Sequence, residues 1–328
     1  MSSPDSLELT KLRRGKIFVA GHQGMVGSAL LRRLQLTGCE NLVVKSRAEL
    51  DLENQQQVHD FMHSEKPDTV FMAAGKVGGI HANNSHPANF IYSNLMMAGN
   101  MIHAAWQAGV HRLLYLGSSC IYPGNAPQPM PEDCLLTGAL EPTNEAYAVA
   151  KIAGIKLCES YNREHGTDFR SVMPTNLYGP NDNFDLQTSH VLPALLRKIH
   201  EAKTSKARSV EVWGSGQPRR EFLHVDDLAA ACLFVCALAK STYTSHTRPH
   251  LSQLNIGTGE DISIAQLAVL IRDVVGFEGD IEYNASYPDG TMRKLLDVSV
   301  MSKLGWKAKI DLRDGIAATY QWYLDQQR

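Results

Sequence analysis

No apolar run in this chain is long enough to cross a bilayer. The longest, Leu228 to Ala239, falls well short of the roughly 20 residues required and reads as a buried helix. The first fifteen residues lack the apolar core of a secretory signal, carry Asp5 and Glu8, and are expected to form a flexible tail over 1–14. Charge of one sign is not in excess either: 32 Lys plus Arg stand against 34 Asp plus Glu. That balance argues against nucleic acid or a membrane as the main partner. Cys39, Cys120, Cys134, Cys158, Cys232 and Cys236 show no paired spacing, which argues against a disulfide framework and for free thiols in a reducing, cytoplasmic compartment. Cys232 and Cys236 sit four apart inside the apolar run with no histidine close by, so core packing is expected there and no metal site. Internal repeats and low-complexity tracts are absent.

With 328 residues and 44% hydrophobic content, the chain can bury a substantial core. From Lys16 onward, short apolar runs alternate with longer amphipathic stretches, the pattern of β-α-β units around a parallel sheet. The runs predict strands at Lys16–Ala20, Asn41–Val44, Thr69–Ala73, Arg112–Leu116 and Phe169–Met173. Helices are predicted at about Met25–Leu36, Gln55–Ser64, Asn89–Ala108 and Asn144–His165, the last closed by Gly166. After Pro174 the texture changes to turn-rich segments between helices, as expected of a substrate lobe. The reading is therefore an α/β fold: a dinucleotide-binding domain over 15–178 with a returning segment near 222–250, and a smaller lobe mainly over 179–328.

Gly21-His22-Gln23-Gly24-Met25-Val26-Gly27 follows a strand and opens a helix. In that context glycines allow a tight turn and close approach to a pyrophosphate at the helix N-terminus, which marks a Rossmann-type doubly wound sheet. About twenty residues on, where an NAD site places a carboxylate, stands Lys45-Ser46-Arg47. A guanidinium there suits a 2′-phosphate, so NADP(H) is the expected cofactor. Asp51-Leu52 fits an adenine edge and fits an exposed loop equally well.

Tyr147 and Lys151 lie four apart on one predicted helical face. A nearby ammonium favours the phenolate, which makes such a tyrosine usable in carbonyl reduction. Ser118 and Cys120, two apart after a strand, would face one side if extended. A thiol needs only a modest downward shift to act as a base near neutrality, although a buried filler fits the same position. His190 titrates near neutrality and is suited to return a proton. Lys198, Arg220 and Lys294 suit a diphosphate but read equally as solvated charges, and Trp213 fits either a base-stacking platform or a lobe anchor.

The glycine turn, Ala73-Ala74-Gly75, Gly117-Ser118-Ser119-Cys120, Tyr147 to Lys151 and Pro174-Thr-Asn-Leu-Tyr-Gly-Pro180 resemble the extended short-chain dehydrogenase/reductases of nucleotide sugars. Within them, Lys76-Val-Gly-Gly-Ile80, Ser118-Ser-Cys-Ile-Tyr-Pro123, Glu141-Pro-Thr-Asn-Glu145, Ser189-His190 and Arg220-Glu-Phe-Leu-His-Val-Asp-Asp227 resemble the GDP-L-fucose synthase family, and the likeness covers nearly the whole chain. The resemblance implies a small-molecule GDP-sugar substrate and a homodimer built from paired long helices. It implies Ser118, Tyr147 and Lys151 as the reductive set, and Cys120 and His190 as the epimerising base and acid. For the cofactor it implies residues 21–27; Arg47, Ala48, Glu49, Leu50, Asp51 and Leu52; Leu116, Gly117, Ser118 and Ser119; Lys151; Pro174, Thr175, Asn176 and Leu177; and His190. For the sugar nucleotide it implies Lys198, Trp213, Arg220, Asp289 and Lys294. One departure stands out: the family's turn often carries arginine where this chain has Gln23, which leaves the 2′-phosphate to Arg47 and Lys45. Competing readings are another nucleotide-sugar epimerase or dehydratase, or a redox sensor that binds NADP(H) without turnover. A dehydratase would show an acidic pair where Ser119-Cys120 stands, and a sensor has no need of Ser118, Tyr147 and Lys151 together.

Overall fold

The computed structural model describes residues 6–327. In the first half, α1 (Ser6–Arg14) leads into β1 (Ile17–Ala20), α2 (Met25–Leu36), β2 (Leu42–Val43), α3 (Gln55–Glu65) and β3 (Thr69–Met72). The short α4 (Ile80–Ser85), α5 (Pro87–Gln107), β4 (Arg112–Leu116), α6 (Glu145–His165) and β5 (Phe169–Pro174) follow. The second half begins with β6 (Asn176–Tyr178), α7 (Val191–Ser205), β7 (Ser209–Trp213), β8 (Arg219–Arg220) and β9 (Phe222–His224). Next come α8 (Val225–Cys236), α9 (Lys240–Ser245), β10 (Gln253–Ile256), β11 (Ile262–Ser263) and α10 (Ile264–Val275). The chain finishes with β12 (Asp280–Asn284), β13 (Arg293–Lys294), α11 (Ser299–Leu304) and α12 (Leu312–Asp325).

Six strands form the central sheet in the order β10-β5-β4-β3-β1-β2, all parallel to their neighbours. Strands β1, β3, β4 and β5 are buried at every position, which is why their sequences are mainly apolar without alternation, with Arg112 and Arg170 as buried exceptions. One face carries α2, α8 and α11, and the other carries α3, α5 and α6. A separate core under α7, α10 and α12 builds the lobe, in which β12 pairs with β7 and β8 lies between β11 and β13.

The expected bounds of α2 and β4 coincide with those observed, and Gly166 closes α6 with φ of 69°. Two expectations need correction. Residues 6–14 of the expected tail are a docked helix: Leu12 and Glu8 are buried, and Glu8 Oε2 accepts from Arg112 at 2.9 Å; residues 1–5 lie outside the described residues. The first domain also takes its sixth strand, β10, from beyond the expected returning segment. Its Gln253 and Asn255 are buried polar residues that look like surface in the sequence. Asn255 accepts from the Tyr122 hydroxyl at 2.6 Å and donates to Met130 O at 2.9 Å. The apolar helix α8 packs against α2, where Arg32 reaches Asp226 at 2.6 Å.

Candidate active site

The glycine turn is built at the limit of backbone packing. Gly21 has φ of +81°, and a Cβ on it would lie 2.7 Å from Ala74 Cα; a Cβ on Gly27 would lie 2.1 Å from Gly21 O. Only glycine fits either position. Gly24 is the N-cap of α2 and supplies no side-chain cap, so the first N–H groups of α2 are left facing outward. His22 Nδ1 is buried without a hydrogen-bond partner. This cradle fits a dinucleotide pyrophosphate. Beyond β2, Arg47 is largely exposed and rests on Glu53 at 3.1 Å, while Lys45 lies 3.7 Å from Glu49. Leu50 and Leu52 are buried beneath them, and Ala48 is exposed. Asp51 Oδ1 accepts from the Glu53 N–H at 3.1 Å.

At the end of β4 the chain leaves the sheet through Gly117, where a Cβ would crowd Met173 Sδ at 2.9 Å. The expected extended run through Ser118 to Cys120 is not formed. Ser119–Ile121 make a 3-10 turn, and that turn brings Ser118 Oγ to 2.9 Å from Cys120 Sγ. Tyr147 belongs to the same cluster: its phenol is buried beside Ser118, whose hydroxyl works to favour the phenolate. Its phenol is pushed well above the ordinary tyrosine value, foremost by burial and then by the Cys120 and Tyr115 charges. Lys151 Nζ stands 5.8 Å from the Tyr147 ring centroid, and desolvation disfavours the phenolate more than the groups around it favour it. Lys151 is itself buried, donates to Leu116 O at 2.9 Å, and is lowered by burial to about 8. Gly75 leaves the ammonium room, since a Cβ there would lie 3.3 Å from Nζ.

Beyond β5, Thr175 and Asn176 are tied to Glu221 O, and Leu177 packs on the core. His190 is the N-cap of α7, and its loop is held near Gly79, whose N–H donates to Thr188 O at 3.2 Å. His190 is an exposed residue, and desolvation by the protein around it holds the imidazole below its ordinary value. It makes no hydrogen bond to the Ser118–Cys120–Tyr147 cluster among the described residues. In the lobe, Trp213 stacks on Tyr287 at 4.5 Å, and Lys198 Nζ lies 4.3 Å from the indole centroid. Arg220 and Lys294 stand side by side on β8 and β13. Burial lowers both, and the Cys120 charge pulls Lys294 back up. Asp289 spends its oxygens on Ser215, at 2.9 Å to the N–H and 2.6 Å to the hydroxyl, and so ties the turn after Trp213 to the loop before β13.

Residues 17–257 match the model of the NAD dependent epimerase/dehydratase family. The chain belongs to this family. Within it, the chain is 58% identical to GDP-L-fucose synthase of Escherichia coli over 96% of this chain and 98% of that protein. It is 57% identical to GDP-L-fucose synthase 1 of Arabidopsis thaliana over 95% and 94%. Among solved structures, a GDP-D-glycero-L-gluco-heptose synthase from Campylobacter jejuni, determined in the presence of NADPH, superposes with a TM-score of 0.88. That match is 41% identical and covers 94% of this chain and 98% of that one.

Five residues that the sequence reading did not single out as site residues lie around these groups. Asn94 on α5 accepts from the Lys76 N–H and donates to Lys76 O, both at 3.0 Å, and so clamps the loop that follows Gly75. Asn144 donates to Cys120 O at 3.3 Å. Asp182, in the loop that leads to His190, is raised by burial to about 7, and its Oδ2 has no hydrogen-bond partner. Tyr287 and Glu221 are the other two. Asparagine inside an amphipathic helix was the one available signal, since it is a poor interior residue without a partner.

Proposed function

We propose that this protein converts GDP-4-keto-6-deoxy-D-mannose to GDP-L-fucose, by epimerisation at C3 and C5 and then NADPH-dependent reduction at C4. The observation that carries the reading is the 2.9 Å contact of Ser118 Oγ with Cys120 Sγ beside the buried Tyr147 phenol and Lys151. A ketone at C4 acidifies the protons on both neighbouring carbons, so one oxygen-binding clamp serves all three steps. Ser118 and Tyr147 donate to that oxygen and stabilise the enolate, each worth about 3 kcal/mol when well placed. Cys120 removes the proton, and His190 returns one on the opposite face. Bound NADPH supplies the hydride that reaches C4. Tyr147 then passes its proton to the oxygen, and its high pKa keeps that proton in place until the alkoxide develops. Lys151 stands ready to hold the resulting phenolate and to bind the cofactor ribose. Arg47, with Lys45, takes the 2′-phosphate, and Arg220 and Lys294 take the GDP diphosphate.

Two partner statements belong to the same reading. Tyr92 and Leu95 on α5 and Val149 on α6 are exposed apolar residues on adjoining helices, which supports a homodimer formed through α5 and α6. Six free thiols suit a reducing, cytoplasmic setting. Among the described residues, no helix is long and apolar enough to cross a membrane.

The test is incubation with NADPH and the keto sugar, following nicotinamide absorbance and identifying the product. Absence of oxidation with this substrate sinks the reading. Cys120→Ser should lower epimerisation by about 10²–10⁴-fold while reduction continues, giving a C4-reduced sugar of unchanged C3 and C5 configuration. Unaltered GDP-L-fucose formation by that variant removes Cys120 from the mechanism.

A further inference from the structure

Arg220 and Lys294 are two cations on adjacent strands, with no carboxylate within ion-pair distance of either among the described residues. Like charges so placed repel until an anion arrives, so their spacing must be imposed from behind. Behind them lies Glu221, which is 0% exposed. Neighbouring residues of a strand point to opposite sides, so Arg220 can face the cleft while Glu221 faces the core.

Every polar atom of Glu221 is engaged. Its N–H donates to Lys294 O at 3.3 Å. Its carbonyl accepts from Thr175 Oγ1 at 3.3 Å and Asn176 Nδ2 at 2.8 Å, on the cofactor side. In the carboxylate, Oε1 accepts from the N–H groups of Thr258 at 2.7 Å and Gly259 at 2.8 Å, while Oε2 accepts from that of Leu296 at 3.0 Å. Gly257 is shaped to this group, since a Cβ there would lie 2.2 Å from Oε1. Four chain segments thus meet at one residue. A carboxylate is the side chain that can accept from all three N–H groups without presenting a donor to any of them. Arg220 itself is steadied by Thr291 O at 2.6 Å, on the loop that enters β13.

We infer that Glu221 is a positioning residue for the sugar-nucleotide diphosphate: its carboxylate holds the exit of β13 and the 257–259 turn against β8, so that Arg220 and Lys294 face the diphosphate together. The inference rests on the GDP-sugar reading. It separates side chain from backbone, because the cofactor segment hangs on the Glu221 carbonyl and survives a change of side chain.

The experiment compares Glu221→Gln with the wild-type protein in steady-state kinetics and in equilibrium binding of GDP and NADPH. Glutamine replaces one acceptor oxygen by an amide that meets a backbone N–H. The KM for the keto sugar and the Kd for GDP should each rise about tenfold or more, a change of about 1.4 kcal/mol. At saturating sugar kcat should stay within about threefold, and the Kd for NADPH within about twofold, on the same scale. A folded variant with unchanged KM and GDP affinity overturns the inference. So does an equal loss of NADPH affinity, which would mean that Glu221 only maintains the fold. If Glu221→Gln does not fold, Gly257→Ala, which crowds the carboxylate without removing it, is judged by the same criteria. Wild-type protein that neither binds GDP nor turns over the sugar defeats the proposed function instead, so the two failures are distinguishable.

Discussion

Lys151 shows at the level of one residue how a reactive site works against stability. Its ammonium is buried, and burial lowers it from 10.5 to about 8. In the unfolded chain the ordinary value returns, so between about pH 8 and 10.5 the unfolded state binds more protons than the folded one. Stability therefore rises with pH across that window, and below it the full cost of burying the charge is present. That cost is about 3 kcal/mol. Lys151→Met removes it but also forfeits the bond to Leu116 O, worth about 1 kcal/mol. The variant should be about 2 kcal/mol more stable than wild type at pH 7 without ligand, lose that advantage toward pH 10.5, and lose reduction. Denaturant unfolding at the two pH values decides it, and a less stable variant at pH 7 contradicts it.

Among the elements, α1 and α8 are joined by a buried charge cluster that the sequence conceals. Arg112 and Arg170 share Asp168 and cap the last carbonyls of α8, with Arg170 donating to Val235 O at 2.5 Å and Arg112 to Cys236 O, while Arg170 also reaches Leu238 O at 3.0 Å in the segment that follows the helix. Glu8 completes the cluster from α1, and although burial works to raise it, bonds to Lys11 and Arg112 hold its carboxyl below the usual value. A depressed folded value means that its stabilisation is present at neutral pH and lost as pH falls through that value. Glu8→Ala should cost about 1–3 kcal/mol and expose the α1 junction to protease. Equal digestion rates in variant and wild type argue against a docked α1. The helix was not legible because Glu8 and Arg112 lie far apart in the chain, and short charged segments read as tails. By contrast α2 and α6 were legible, since capping glycine and periodicity are local. The 3-10 turn at Ser119 fell between these cases. The residues that meet there were visible, but the geometry that joins them depends on the sheet ending at Leu116. Strand β10 was missed because buried Gln253 and Asn255 carry the hydropathy of a surface.

Across the whole molecule, the site is assembled at the carboxyl ends of parallel strands: Gly21 after β1, Gly75 after β3, Ser118 after β4 and Thr175 after β5. The lobe closes this edge with Arg220 and Lys294. Helix α6 carries Tyr147 and Lys151 on its buried side and Val149 on its exposed side, beside Tyr92 and Leu95 of α5. Pairing of two copies through these helices would steady the catalytic helix from outside. On the proposed homodimer, Leu95→Glu should shift the equilibrium toward monomer in light scattering at micromolar concentration. Wild-type protein that is monomeric there contradicts the dimer.

Of the six thiols, Cys120 alone is partly exposed; the other five are buried, and burial pushes them up, Cys134 to about 11 and Cys236 to about 12. The folded protein therefore offers a chemical label a single address. A thiol reagent at neutral pH should modify one sulfur per chain, and GDP-sugar should slow that modification. Incorporation of several equivalents without unfolding would show otherwise. Because the accessible sulfur is the one beside Ser118, titrating it would count competent sites directly, and an electrophile carried on a GDP scaffold would find its target without competition from the remaining five.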